Sequence, residues 1–194
     1  MNIFRNHQIP ARMACSQKFS GKSLNNRSGN IRNTVLMSLF IALICVFTMS
    51  IRIPTFTGGY INPGDIVVIF AGFLFGGTGG FIAGALGSVM ADFLGGYFIF
   101  IPITFIAKGG EGFLAGYIGK NLNKDSRFIW IITGGILAAL WMVAIYFIGE
   151  TLYPAMGLAK AFSALIPNLF QACVGFAGSI MLHNLAGRFL RKKI

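Results

Sequence analysis

The sequence predicts an all-α integral membrane protein, folded as a compact bundle of six transmembrane helices with both termini in the cytoplasm. Hydrophobic residues make up 55% of the 194-residue chain and charged residues only 11%, whereas a soluble domain has about 25% charged residues. The mean hydropathy is +0.73. Long apolar runs alternate with short polar stretches, and at this length we expect one domain.

The first 33 residues differ from the rest of the chain. They carry six basic residues and no acidic residue, and they lack the apolar core of a secretory signal. This composition favours a disordered cytoplasmic tail over residues 1–33, followed by a transmembrane domain over residues 34–194. A transit peptide is the alternative.

The apolar runs predict six membrane spans. Pro54 closes the first span, and Pro63 is acceptable as the first helical residue of the second. The second span is shorter than the roughly 20 residues of a full crossing, which favours a tilted or partly shielded helix. The predicted spans cover residues 34–53, 63–75, 79–94, 103–119, 128–148 and 161–186.

The distribution of lysine and arginine predicts the orientation. These residues gather in the N-terminal tail, in the loop 120–127 and in the C-terminal stretch 188–193. A six-span chain places all three regions on one side, which the positive-inside rule identifies as cytoplasmic. The net charge of +11 is therefore attributed to membrane orientation, and no nucleic-acid partner is predicted.

Small residues recur every fourth position in two of the predicted spans. Gly80, Gly84 and Ser88 share one face of the third span, and Gly112 and Gly116 share a face of the fourth. In lipid, such faces let helix backbones approach closely. We expect them to pack inside the bundle; a docking face for a partner is the alternative.

Ionisable residues within apolar segments are the main functional signal, because burying a charge in a membrane costs at least a few kcal/mol, about 2.5 or more. The predicted orientation puts almost all of them in the outer half. A pore or proton relay would spread its charges through the depth of the membrane. A one-sided cluster is more typical of the mouth of a binding pocket. Its members are Arg52, Asp65, Asp92, Lys108, Glu111, Glu150 and Lys160.

Each candidate also has a structural interpretation. Lys108 and Glu111 are three residues apart and can pair on one helix face. Asp92 can contact Arg52 or Lys108 across helices. For Asp65 in "NPGD", stabilisation of a helix N-terminus, with Asn62 as the cap, is favoured over ligand contact.

Amide and aromatic side chains complete the predicted site. Asn168 and Gln171 share a face of the sixth span and either bond another helix or face the pocket. Tyr97 belongs to a group of outer aromatic residues that can anchor the protein at the interface or stack on a flat ligand. The predicted substrate-binding residues are Asn62, Asp65, Asp92, Tyr97, Lys108, Glu111, Asn168 and Gln171.

No catalytic motif accompanies these residues. The glycine-rich "FGGTGG" lacks the Gly-Lys-Ser/Thr ending of a phosphate-binding loop, and neither HExxH nor GxSxG occurs. The three cysteines show no metal-ligand spacing. We therefore predict no catalytic residue, metal or cofactor, and no ATPase activity in this chain.

The segments "INPGD", "GALGSVMADFLGGY" and "KGGEGFLAGYIG" resemble the substrate-binding S components of energy-coupling factor (ECF) transporters. The closest resemblance is to the group that includes riboflavin, hydroxymethylpyrimidine and pyridoxine carriers. It implies a subunit of the bacterial plasma membrane that captures a vitamin or related micronutrient from outside. It also implies two kinds of partner, a membrane coupling subunit and two cytoplasmic ATPases.

The resemblance also implies a docking motif of two small residues, often alanines, four apart on the first span. Here that place holds Ser38 and Ala42, so serine replaces one alanine while the small size is kept. Two other classes compete with the transporter interpretation. One is a membrane-embedded enzyme, and the other is a structural or assembly protein without a small ligand.

Overall fold

The computed structural model describes residues 11–55, 58–120, 127–154 and 156–191. The chain divides into two compact units, residues 1–36 and residues 37–194. Residues 11–33 are helical, whereas their composition favours a disordered tail. The predicted boundary at residue 34 stays a prediction. Residues 1–10 and most of the basic loop, 121–126, lie outside the described residues.

Five helices in the described part of the chain are long and apolar enough to cross a membrane. A pair of two-residue antiparallel strands, β1 (Ile53–Pro54) and β2 (Tyr60–Ile61), and a short 3-10 turn (Phe98–Phe100) lie between them. This confirms the all-helical membrane class. The helices are α1 (Ala11–Ser50), α2 (Gly64–Gly95), α3 (Ile101–Lys120), α4 (Arg127–Leu152) and α5 (Gly157–Arg191).

Large apolar side chains cover the outside of the second unit. Ile166, Phe93 and Leu140 are 77%, 61% and 53% exposed, as expected for side chains that face lipid. Smaller apolar residues, such as Ala83 and Ala138, fill the interior between helices. Exposure of apolar side chains to lipid costs no free energy. The buried polar side chains are therefore the residues that indicate a functional site.

Helix α2 is broken at Gly76, whose φ of +82° and ψ of −175° are not helical. A Cβ placed on Gly80 would lie 2.8 Å from the Cα of Gly72, although eight residues of straight helix span about 12 Å. The two halves, 64–75 and 77–95, therefore lie side by side as a hairpin.

This hairpin occupies the place of the predicted second and third spans. The chain reverses at one glycine rather than over the whole of "FGGTGG". Whether each half crosses the membrane stays a prediction, as does the total of six spans.

The glycine faces pack inside the bundle. A Cβ on Gly80 would overlap the carbonyl oxygen of Gly112, and a Cβ on Gly116 would overlap the backbone of Gly76. Only glycine permits this backbone contact between α2 and α3. The predicted role of these faces in internal packing is confirmed.

Candidate substrate-binding cleft

A polar cleft opens at one end of the bundle, next to the β1–β2 pair. With its open mouth the cleft measures about 450 Å³, whereas its cavity volume is about 30 Å³, which is room for a water molecule. Residues from all five helices contribute to its wall. They are Thr48, Thr55, Gly59, Tyr60, Asn62, Ser88, Asp92, Phe100, Thr104, Lys108, Tyr146, Glu150, Asn168 and Gln171.

The buried polar side chains concentrate at this cleft. Among the described residues, each buried polar or charged side chain except Ser179 either lines the cleft or forms an ion pair with Lys108. Burial of a polar group is costly unless it has a partner. Such a concentration at one end indicates a site rather than general packing.

Lys108 is the centre of a buried charge cluster. Its ammonium donates a hydrogen bond to Asp65 and lies 3.4 Å from a carboxylate oxygen of Glu111. Asp65 and Glu111 are fully buried, and Lys108 is 2% exposed. The predicted pairing of Lys108 with Glu111 is present, but Asp65, 43 residues away in the chain, is the closer partner.

Asp65 belongs to this cluster and does not cap its own helix. The backbone N–H of Gly64 instead bonds the side-chain oxygen of Asn62 at 2.9 Å. Asn62 thus binds the first N–H of α2, and Asp65 lies in the first turn of that helix as predicted, although its side chain bonds Lys108 and Gln171. The side chain of Asp65 faces α3 and α5 rather than the free amides at the start of its own helix.

A hydrogen-bond chain ties α5 to the start of α2. Gln171 donates a bond of 3.0 Å to Asp65, and its side-chain oxygen accepts a bond of 2.8 Å from the backbone N–H of Asn62. Asn168, one turn earlier on α5, lines the same cleft. The predicted shared face of Asn168 and Gln171 thus points into the cleft.

Asp92 presents one engaged and one open carboxylate oxygen. The hydroxyl of Tyr60 donates to Oδ1 at 2.7 Å, while the buried Oδ2 has no hydrogen-bond partner. Burial, followed by the charge and hydrogen bond of Asp92, raises the pKa of Tyr60 above its usual value. Tyr60 therefore remains a donor, and Oδ2 is free to accept from a ligand.

The predicted contacts of Asp92 with Arg52 and Lys108 are replaced by this tyrosine bond. Arg52 bonds the carbonyl of Ala91 at 3.1 Å. Its guanidinium lies over the rings of Tyr60 and Tyr97, 5.0 and 5.5 Å from their centres. The ring of Tyr97 is tilted against that of Tyr60, with 4.5 Å between the ring centres, and lies outside the cleft wall.

Several residues of the cleft were not predicted from the sequence as site residues. Thr104 and Tyr146 share a hydrogen bond of 3.0 Å. The hydroxyl oxygens of Thr48 and Ser88 are buried without hydrogen-bond partners. Glu150, which belongs to the predicted outer charge cluster but not to the predicted substrate-binding residues, is also buried in the wall. Isolated hydroxyl residues are common in membrane helices, so only the spacing of Ser88 and Asp92, one turn apart, gave a signal.

Of the eight predicted site residues, five line the cleft and three lie behind its wall. Asp65 and Glu111 hold Lys108, and Tyr97 lies against Tyr60. Within the described ranges, no group of histidine, cysteine or carboxylate side chains is arranged to hold a metal ion. The residues in the wall are Asn62, Asp92, Lys108, Asn168 and Gln171.

The two residues of the predicted docking motif lie on α1. Ser38 and Ala42 are both exposed. Neither contributes to the cleft wall. Their surface is therefore open to a neighbouring helix, and their role stays a prediction.

Known proteins resemble this chain over most of its length. The model of the family described as ECF-type riboflavin transporter, S component, matches residues 28–186. The thiamine precursor transporter HmpT of Lactococcus lactis subsp. cremoris (strain MG1363) is 29% identical over 170 residues, covering 86% of this chain and 93% of that protein. An uncharacterized protein of Pyrococcus woesei is 32% identical over 152 residues, covering 78% of this chain and 96% of its relative.

A solved structure described as the S component of a bacterial ECF transporter has the same fold. Its TM-score is 0.64 at 18% identity, and the alignment covers 83% of this chain and 98% of that chain. The family match confirms the resemblance seen in the sequence motifs. It also excludes the enzyme interpretation, because S components are transport subunits. The chain belongs to the family of ECF-type transporter S components and is a multi-pass membrane protein.

Proposed function

We propose that the cleft captures a vitamin-like heterocycle from outside the cell and presents it for uptake. The observation that carries this proposal is the convergence of buried polar side chains from all five helices on one cleft. Three of the polar atoms there, Asp92 Oδ2, Ser88 Oγ and Thr48 Oγ1, are buried without hydrogen-bond partners. A bound ligand would satisfy them, and the aromatic rings of Tyr146 and Phe100 would cover its flat face.

The proposed topology has six crossings with both termini in the cytoplasm. Each half of the α2 hairpin is counted as one crossing, with Gly76 at the cytoplasmic turn. The lysine and arginine clusters then lie inside, and the cleft opens outwards. The membrane is proposed to be a bacterial plasma membrane.

The substrate is proposed to be riboflavin, pyridoxine, hydroxymethylpyrimidine or a close relative. Two comparisons support this range, since the matched family is named for riboflavin and one relative for a thiamine precursor. The proposed partners are a membrane coupling subunit, which would dock on Ser38 and Ala42, and two cytoplasmic ATPases.

Ligand titration of the protein in mild detergent tests this proposal, together with mass spectrometry of any small molecule that co-purifies. Two serines provide a matched pair. Ser88 lines the cleft with an unpartnered hydroxyl, whereas Ser179 is buried elsewhere and donates to the carbonyl of Phe176 at 2.7 Å.

We expect Ser88→Ala to weaken binding roughly two- to tenfold, the value of one neutral hydrogen bond. Ser179→Ala should leave the affinity unchanged. Equal effects of the two substitutions, or no binding of any candidate vitamin by the folded protein, would contradict the proposed site.

A further inference from the structure

Acidic residues are distributed very unevenly in this basic protein. The chain carries a net charge of +11, yet all four carboxylates among the described residues lie at the cleft. Asp92 and Glu150 line it, and Asp65 and Glu111 lie directly behind Lys108. Of the basic groups, Lys108 lines the cleft, and Arg52 lies over the rings of Tyr60 and Tyr97.

Both basic groups already have partners within the protein. The ammonium of Lys108 is shared between Asp65 and Glu111. The guanidinium of Arg52 is held by the carbonyl of Ala91 and two tyrosine rings. An anionic ligand would therefore have to compete with these protein groups for either cation.

An open acceptor lies in the same wall. Asp92 is 3% exposed and Ser88 is 1% exposed, and both line the cleft. Asp92 Oδ2 and Ser88 Oγ have no hydrogen-bond partner. They are one helical turn apart on α2, so they form one edge that can accept hydrogen bonds from a single planar group.

We infer that the cleft selects a heterocycle that presents an amino or cationic nitrogen donor to Asp92 and that it rejects ligands carrying a phosphate. This inference rests on the proposed function and narrows its substrate class. A hydrogen bond to a charged group is stronger than a neutral one, and the carboxylate of Asp92 beside a phosphate would repel it.

Two series of probes that differ in one substituent test this inference on the unmodified protein. The first is 4-amino-5-hydroxymethyl-2-methylpyrimidine, the same compound without its amino group, and its phosphate ester. The second is pyridoxamine, pyridoxine and pyridoxamine phosphate. In the series that binds, we expect the amino compound to bind at least about tenfold tighter than the other two.

The variant Asp92→Asn tests whether Asp92 causes the preference for the amino compound, because asparagine keeps an oxygen for Tyr60 and loses the charge. It should reduce the preference for the amino compound to less than about threefold, since the charge-assisted part of the bond is lost. Ser179→Ala, away from the cleft, should keep the full preference.

The outcomes separate this inference from the proposed function. Tighter binding of the phosphate ester, equal binding of the compound without the amino group, or binding of riboflavin alone would contradict the inference and leave vitamin capture standing. An unchanged preference in folded Asp92→Asn would also contradict it. Failure of every probe, riboflavin included, would contradict both.

Discussion

The ammonium of Lys108 on α3 donates a hydrogen bond to the carboxylate of Asp65 on α2, and both side chains are buried. This contact joins two helices at the base of the cleft. The second carboxylate, Glu111, lies 3.4 Å from the same ammonium. One cation is thus shared by two acids that would otherwise repel each other in a medium of low dielectric constant.

Replacement of Lys108 should therefore destabilise the fold strongly. Lys108→Met leaves two buried carboxylates without a counter-charge, which we expect to lower the free energy of unfolding by about 3–5 kcal/mol. Thermal unfolding in detergent measures this change. The control is Arg188→Met at an exposed position on α5, where the loss should be within about 0.5 kcal/mol. Similar small losses in both variants would show that Lys108 has no such role.

Tyr60 should titrate anomalously. Its pKa is raised by burial and by Asp92, so its hydroxyl should stay protonated when an ordinary tyrosine, with a pKa of about 10, has ionised. The folded state then binds one more proton than the unfolded state, and stability falls as pH rises above about 10. Comparison of unfolding and of tyrosinate absorbance in the wild type and Tyr60→Phe tests this. The alkaline loss of stability should be smaller in the variant; an identical loss would contradict the assignment.

The contact between α2 and α3 should not tolerate a side chain. Gly80→Ala places a methyl group against the carbonyl oxygen of Gly112, and we expect a loss of about 1–3 kcal/mol from this overpacking. Gly187→Ala is the control, because a Cβ there has nothing within 4 Å. It should be neutral or stabilise α5 by up to about 1 kcal/mol. If Gly80→Ala behaves like the control, the packing is looser than the structure indicates.

The exposed face at Ser38 and Ala42 should be needed for coupling and not for binding. Ala42→Trp keeps the distant cleft intact but blocks the close approach of another helix. We expect normal ligand affinity in detergent and loss of uptake in cells that express the complete transporter. Leu43→Trp is the control, on the same helix and also exposed but on a different face. Normal uptake by Ala42→Trp would rule out this docking face.

The sequence alone was sufficient for the membrane class and for much of the site. Lys108, Glu111 and Asp92 stand out because charges in apolar segments are rare. The side chains that pair with them could not be predicted from the sequence in the same way. The pairing of Lys108 with Asp65 depends on how the α2 hairpin packs on α3, a contact across 43 residues of chain.

The sequence around a residue also did not predict its role where that role depends on contacts with other helices. Ser88 and Thr48 resemble ordinary small packing residues, and only the folded bundle brings their hydroxyls to the cleft. The predicted spans 63–75 and 79–94 place the reversal between residues 75 and 79, and Gly76 lies there. The position of the reversal at one glycine follows from tight backbone contacts with α3 that no single segment encodes.

Outward capture of a ligand in the cleft is the central claim, and protection of a cysteine at its mouth tests it most directly. Thr55 lines the cleft and is half-buried. In a background with Cys15, Cys45 and Cys173 replaced by alanine, Thr55→Cys is exposed in intact cells to a membrane-impermeant maleimide. Lys120→Cys, at the other end of α3, is the control for the cytoplasmic side.

We predict that Thr55→Cys reacts in intact cells and that one of riboflavin, pyridoxine or hydroxymethylpyrimidine slows the reaction at saturating concentration, while Lys120→Cys reacts only after lysis. Reaction of Thr55→Cys only after lysis, or at a rate that none of these compounds changes, would contradict capture of a vitamin from outside through this cleft.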